Sequence, residues 1–557
     1  MNVGSRGYTE AGHKHPTAGR DGKHRGCGRI QEGLGPRDDK GQVRRGAGGR
    51  AARKALRAAK PPISEAPVKA GLIGGRYQPL SESEVGRIHG AALDVLEQIG
   101  LARAIPSCIE LFTEAGATMT DEGRLLIPRA LVEDALAKAG RHFVLHGRDP
   151  RHDLEPWGKK VHFGTAGAAV HMVDSETGAY RDTLLTDLYD VARLIDRLDN
   201  IHFFQRSLVA RDMIDPRDLD FNTCYACVAG TSKHVGSSWV DPSHFADSMA
   251  MLHLLAGGEK PWRERPFVSM SACFVVPPLN FAEDACRCLE AGVRAGMPIL
   301  LLAAGQAGAT SPAALPGAVV QEVAEVLAGL VYVNLIVPGH PAMFGAWPFV
   351  SDLRTGAMSG GSGEQALLMA ACAQMAHFYD LTGAVAAGMT DSKLPDVQSG
   401  YEKGYTEALS GLAGGNLIYE AAGMHASLLG VCYESFVIDN DIIGSVLRAV
   451  RGFEVTEDTL SVAAIRETCI GGVGHFLGSS QTLELMERDY IYPEIGDRTS
   501  PKEWVEQGSK DILQRARTRV KEILASHYPI YIDPIVDAKI RKKFDVFLPL
   551  EAMRARG

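Results

Sequence analysis

The side chains best suited to chemistry gather between positions 383 and 441. Three short apolar runs stand close together there, GAVAAGMT at 383–390, GNLIYE at 415–420 and ESFVIDN at 434–440, and each ends in polar residues. None of the three shows a helical period, and a short continuous apolar run is how a strand buried on both faces reads. Asp391, Lys393, Asp396 and Gln398 follow the first run; Tyr419 and Glu420 close the second; Asp439, Asn440 and Asp441 close the third. If the runs are neighbouring parallel strands, these polar tips converge on one mouth.

Aromatic residues share the same kind of position. Trp239, Phe274, Trp347, Phe349 and Tyr419 all fall in the last residues of apolar runs. Aromatic faces attract cations that cannot donate hydrogen bonds, quaternary ammonium groups above all. Any one such ring is more often core filling, but five at one end of a sheet point to a cage. Other chemistries find little support. Cys224-x-x-Cys227 has no second such pair and sits in a helical stretch, and His340, His425 and His475 form no metal motif, so no protein-bound metal is expected. The glycines at 360–363 lack the Lys-Ser/Thr ending of a phosphate loop, and no nucleophile elbow surrounds Ser237, Ser238, Ser271 or Cys273.

Positioning such tips requires a frame. Further apolar runs at 201–209, 234–240, 267–276, 298–305 and 341–349 precede the three above, most of them separated by stretches with helical period. That makes about eight β/α units, the repeat of a closed TIM (β/α)8 barrel. An open doubly wound sheet is the competitor, but no glycine-rich dinucleotide fingerprint follows the first strand. The fold expected is therefore α/β: a TIM barrel over 200–450, an N-terminal mixed helical cap over 75–185 and a C-terminal helical extension over 451–557. Ser81 with Glu84 and Ser362 with Gln365 mark helix starts. In the segment opened by Pro316 and Gly317, Val319, Val323, Val326, Leu327 and Leu330 share a face while Gln321, Glu322 and Glu325 point away. One amphipathic helix is expected over 504–526.

Bulk properties bound the rest. At 557 residues and 45% hydrophobic, the chain can bury a large core. Its first sixty residues hold 15 Lys and Arg against 5 Asp and Glu and almost no large apolar side chain, so 1–70 reads as a disordered basic arm. An unstructured leader is a simpler reading of that arm than a nucleic-acid contact. No apolar run reaches the ~18 residues of a membrane span, no signal-peptide pattern opens the chain, and the ten cysteines are scattered. A cytoplasmic protein with reduced thiols is expected.

The run GMTDSKLPDVQSGYE at 388–402, followed by AGGNLIYEAAG and ESFVIDNDIIG, resembles the trimethylamine methyltransferase family of corrinoid-dependent methyltransferases. DLRTG at 352–356, GHFLGSSQT at 474–482 and Tyr492-Pro493 extend the resemblance to roughly 75–545. It implies a TIM barrel that moves a methyl group from an amine to cob(I)alamin carried by a separate corrinoid protein. True trimethylamine enzymes of the family carry pyrrolysine at the barrel mouth, whereas this chain contains only the standard twenty residues. That departure makes it similar to the glycine betaine methyltransferases, whose donors are quaternary amines. A tertiary amine methyltransferase, or a non-catalytic betaine-binding sensor, is the alternative. On this resemblance Trp347 and Tyr419, with Trp239, Phe274 and Phe349, would hold the ammonium group. Arg354, Lys393 or Gln398, with Asn440 close by, would bind the rest of the substrate, and Asp391 and Glu420 would act at the reacting centre. A homo-oligomer is expected, and no membrane contact.

Overall fold

The computed structural model describes residues 66–555, so the basic arm expected at 1–70 lies, but for its last residues, outside them. Eight parallel strands close into a ring: β1 (Lys160–Phe163), β2 (Phe204–Gln205), β3 (Val235–Ser237), β4 (Val268–Ala272), β5 (Ile299–Ala303), β6 (Ala342–Ala346), β7 (Ala384–Ala386) and β8 (Leu417–Tyr419). Ladders join β2 through β6 in order, and β7 to β8. A single parallel bridge, Phe344 to Gly383, joins β6 to β7, and another, Gly164 to Phe203, joins β1 to β2. The ring closes where Leu417 and Ile418 of β8 pair with His162 and Phe163 at the end of β1. Each strand is followed by a helix on the outside: α1 (Leu185–Ile195), α2 (Pro216–Gly230), α3 (Pro242–Ala256), α4 (Glu283–Arg294), α5 (Leu315–Ile336), α6 (Gly363–Phe378), α7 (Val397–Ala413) and α8 (Tyr433–Arg451). This is the expected TIM barrel, and all eight C-terminal strand ends open on one face.

Two of its parts sit elsewhere than expected. The run at 434–440 is no strand: it lies in α8, whose buried residues Phe436, Asn440, Ile443, Leu447 and Val450 recur every three to four positions. Cut off at 440, the run is too short to show that period. The strand it was taken for is β1, whose sequence KVHF carries a charge at its start and hides in the segment assigned to the cap. The barrel therefore opens at Lys160, forty residues ahead of the expected boundary.

The cap contains the helices Glu82–Gln98, Pro106–Glu114 and Arg129–Lys138. The first starts on a complete capping box between Ser81 and Glu84. All three cap helices pack on α5, which corrects the expectation for its polar face. Gln321, Glu322 and Glu325 are buried between cap and barrel. Glu322 accepts from the Gly305 N–H at 2.7 Å and Glu325 from that of Leu279 at 2.7 Å. Burial raises both carboxyls, Glu325 to about 7. Among the described residues α5 is the one helix long and apolar enough to cross a membrane, and most of it is inside the protein.

After α8 the chain continues in helices. The expected helix over 504–526 is two, Pro501–Glu506 and Ile512–Ser526, broken at Gly508 and Ser509, which both have positive φ, 90° and 52°. The longer one buries Ala516, Val520 and Ile523 and packs on α8 and α1. The C-terminal end of α8 lies at the barrel end opposite the mouth. There Arg451 donates to the Pro67 carbonyl and Arg76 to the Arg451 carbonyl, while Leu72–Ile73 pairs with the first residues of β1.

Candidate active site at the barrel mouth

Five consecutive strand tips, taken round the ring from β8 to β4, are followed by Glu420, Gly167, Arg206, Ser238 and Cys273 in turn. Glu420 follows β8 directly. Its φ of +64° is a conformation that a residue with a side chain seldom adopts and that costs roughly 1 kcal/mol or more. The carboxyl is 3% exposed, and its Oε2 has no hydrogen-bond partner among the described residues. That oxygen lies 3.2 Å from where a Cβ on Gly167, just beyond β1, would stand. Gly167 itself has φ +127°, so glycine serves there both the backbone and the space over Glu420.

Arg206 follows β2. It donates from Nε and Nη2 to the Ser238 hydroxyl beyond β3, at 3.1 and 2.9 Å, and from Nη1 to the Gly167 carbonyl at 3.5 Å. Cys273 follows β4; its side chain is accessible, yet burial pushes its thiol up. Burial likewise lowers the Arg206 guanidinium, and it pushes Glu420 up to about 8, an effect Arg206 only partly offsets. Near neutral pH, then, the mouth holds a protonated Glu420 and a charged Arg206.

The aromatic expectation divides. Trp347, beyond β6, lies 5.4 Å from Tyr419 at the end of β8 and 6.3 Å from Phe349, centroid to centroid. Phe203 joins Tyr419 at 4.8 Å. Trp347 Nε1 donates to the Ala384 carbonyl at 2.9 Å. At 3% and 2% exposure, Trp347 and Tyr419 are packed inside the barrel rather than standing around open space. Trp239 and Phe274 are not brought into this group. Trp239 turns out onto α3, donating to Ser248 Oγ at 2.9 Å, with its ring edge-on to Phe245. Phe274 packs against Gly329 of α5 and near Phe281. Successive strand residues point to opposite faces, so position near a tip does not tell inward from outward.

The polar residues of 391–402 build a clamp beside the mouth. Asp391 accepts from Ser359 Oγ at 2.7 Å, from the Gly360 N–H at 2.7 Å and from Ser427 Oγ at 2.5 Å, so both its oxygens are engaged. Gln398 donates to Glu402 at 2.8 Å, and Glu402 accepts from Thr390 Oγ1 and the Asp391 N–H. Lys393 is exposed and donates to the Asp391 carbonyl. Arg354 is exposed and paired within its own loop to Asp352 at 2.6 Å. Asn440, on α8, holds the Asn200 backbone N–H and side chain. None of Asp391, Gln398, Lys393, Arg354 and Asn440 is hydrogen-bonded to Glu420 or Arg206. The residues that sequence reading missed are Arg206 and Gly167, with Ser238 and Cys273 weighed there only as nucleophiles. A lone arginine in the apolar run at 201–209 was the available signal.

A polar arc at the C-terminal mouth of an eight-stranded barrel is the architecture of a TIM-barrel enzyme. The sequence model described as trimethylamine methyltransferase (MTTB) matches residues 46–548, and the chain belongs to that family; it is a methyltransferase. It is 35% identical over 481 residues to trimethylamine methyltransferase MttB of Methanosarcina thermophila, covering 85% of this chain and 97% of that one. It is 30% identical over 471 residues to the glycine betaine methyltransferase of Desulfitobacterium hafniense strain Y51, covering 84% and 96%. Among solved structures, the monomethylamine methyltransferase MtmB of Methanosarcina barkeri is a loose likeness, with TM-score 0.43 and 13% identity over 79% of this chain and 92% of that one. The barrel here stands on its own strand pairing.

Proposed function

We propose that the protein transfers a methyl group from a quaternary amine, glycine betaine first among them, to the reduced cobalt of a corrinoid carried by a partner protein. The observation that carries this reading is the Glu420 carboxyl, turned into the mouth by a left-handed backbone and held protonated by burial. A quaternary nitrogen is already charged and leaves as a neutral tertiary amine, so it needs no prior activation. In the displacement the cobalt electron pair forms the bond to the methyl carbon, and the carbon–nitrogen pair stays on nitrogen. A protonated Glu420 donates to that emerging lone pair, an interaction absent from the starting cation and therefore felt in the transition state. An ionised carboxylate would instead stabilise the starting cation and favour binding over release. The packed rings of Trp347, Tyr419 and Phe349 give the mouth an apolar base that excludes water. A mouth at the strand ends leaves the corrinoid an approach from outside.

The test mixes protein, glycine betaine and reduced corrinoid and follows the visible spectrum for methylcobalamin. Turnover of trimethylamine alone would shift the reading to a tertiary amine, and calorimetric binding without a spectral change would make the protein a sensor.

The homo-oligomer belongs to the same proposal. Between α8 and the helix Ile512–Ser526 the chain makes an excursion in which the helix Val462–Cys469 has no buried residue. Phe453, Ile470 and Val473 there are 83%, 72% and 78% exposed, an apolar patch of the kind that marks an interface. The excursion leaves from the end of α8 and is tied back to it by the Arg451–Asp489 pair at 2.9 Å, at the barrel end remote from the mouth. The proposed occupant of this patch is a second copy of the chain, the corrinoid protein being assigned to the mouth.

A further inference from the structure

We infer that Arg206 seats an anionic group of the methyl donor, so that the preferred substrates are quaternary amines bearing a carboxylate rather than bare or hydroxylated ones. This deepens the proposed function and rests on it. Guanidinium groups carry five N–H donors in a planar fork. Those of Arg206 meet only the Ser238 hydroxyl and one backbone carbonyl, Gly167, at 3.5 Å. Among the described residues no carboxylate lies within ion-pair distance of it. Removing a charge from water costs several kcal/mol unless it is paired, so an arginine retained in such a place points to a counter-ion that arrives with a ligand.

The neighbouring acids do not fill that role. Burial pushes the Glu420 carboxyl up to about 8, so it is protonated at neutral pH. Asp220 is engaged through Oδ2 by the Val240 N–H at 2.9 Å and by His244 Nδ1 at 3.0 Å. Cys227 and Cys273 are thiols whose ionisation burial opposes. Arg193 shows what a purely structural arginine looks like in this protein. It is paired to Asp190 at 2.8 Å and donates to the carbonyls of Leu524 and His527 at 2.8 Å each. Arg206 has no such set of partners, and it opens on the mouth. A carboxylate can take a guanidinium edge through two parallel hydrogen bonds. With Glu420 neutral on the other side, nothing in the mouth repels it.

The test compares glycine betaine with choline, which keeps the trimethylammonium head and replaces the carboxylate with a hydroxyl. Calorimetry and the methylcobalamin spectrum are both read on the full chain. The wild type should bind glycine betaine at least tenfold more tightly than choline. R206M should cut glycine betaine affinity about 30-fold or more and move choline far less; R206Q serves if R206M fails to fold. Equal losses for both ligands, or none for either, would overturn the subsite. If arginine-dependent betaine binding persists while no quaternary amine gives methylcobalamin, the subsite stands and the proposed reaction fails. If betaine and choline are demethylated alike by wild type and R206M, the reaction stands and the subsite fails.

Discussion

The Ser238 hydroxyl sits in the fork of Arg206, 3.1 Å from Nε and 2.9 Å from Nη2, and so fixes the guanidinium across the tips of β2 and β3. Removing that oxygen in S238A frees the arginine to swing, and a loss of roughly 1 kcal/mol in glycine betaine binding is expected, with little change in stability. S238D supplies an internal carboxylate instead. It should neutralise Arg206 and abolish betaine binding while leaving the protein folded. Calorimetry and circular dichroism check both variants, and tight betaine binding by S238D would contradict the role given to Arg206.

Glu420 makes both activity and stability depend on pH. Its folded value, about 8, lies above that of a free carboxyl, so the folded state binds the proton more tightly than the unfolded one. The stability it contributes is full below the ordinary glutamate range, about 4.3, and is lost as pH rises to about 8. Urea unfolding of wild type and E420Q at pH 6 and pH 9 should show a decline in the wild type that is smaller in E420Q. Methyl transfer should fall above pH 8 as the proton is lost, and E420A should lose on the order of 100-fold. A flat rate profile from pH 6 to 9 would remove the proton from the mechanism.

Gly167 is expected to tolerate no side chain. A Cβ there would stand 2.7 Å from Met424 Cε and 3.2 Å from Glu420 Oε2, on a backbone with φ +127°. G167A should cost about 1–3 kcal/mol in stability and reduce methyl transfer by displacing Glu420. Unchanged turnover in G167A would separate Glu420 from the chemistry.

Lys403 and Asp439 form a buried pair at 2.5 Å, both essentially inaccessible. Glu407 is also buried close by, and burial raises its carboxyl. K403M leaves Asp439 without its cation and should cost about 3–5 kcal/mol, whereas K403M with D439L should recover much of the loss. Denaturant unfolding of the two variants decides it, and a double variant no more stable than the single one would contradict this account.

The apolar excursion after α8 should hold two copies together. Light scattering is expected to find the wild type larger than a monomer and I470E with V473E shifted toward one. A monomeric wild type would leave Ile470 and Val473 without an occupant.

How much of this could be read from the chain depended on what each residue's neighbours are. Strands β2 to β8 were legible because a barrel strand buried on both faces can hardly be anything but a short apolar run. The stretch from 161 reads as short strands, but Lys160 and His162 break the apolar run and so leave β1 outside the barrel count, and the run at 434–440 passed for a strand because its helical period continues only beyond Asn440. In the mouth, Trp347, Phe349 and Tyr419 fell together, but Trp239 and Phe274 turned to the helices, since tip position fixes height along the barrel and not facing. Asp391, Gln398 and Lys393 are prominent in the sequence because a three-loop clamp needs many polar groups. Arg206 was hidden because its meaning lies in what does not surround it, and partners are visible only in three dimensions.

The measurement that bears most directly on the central claim is the visible spectrum of reduced corrinoid incubated with the wild-type protein and glycine betaine. The account predicts the appearance of methylcobalamin together with dimethylglycine, and strong attenuation of both in R206M and E420A. A spectrum that stays that of the reduced corrinoid, with trimethylamine the only donor consumed, would contradict it.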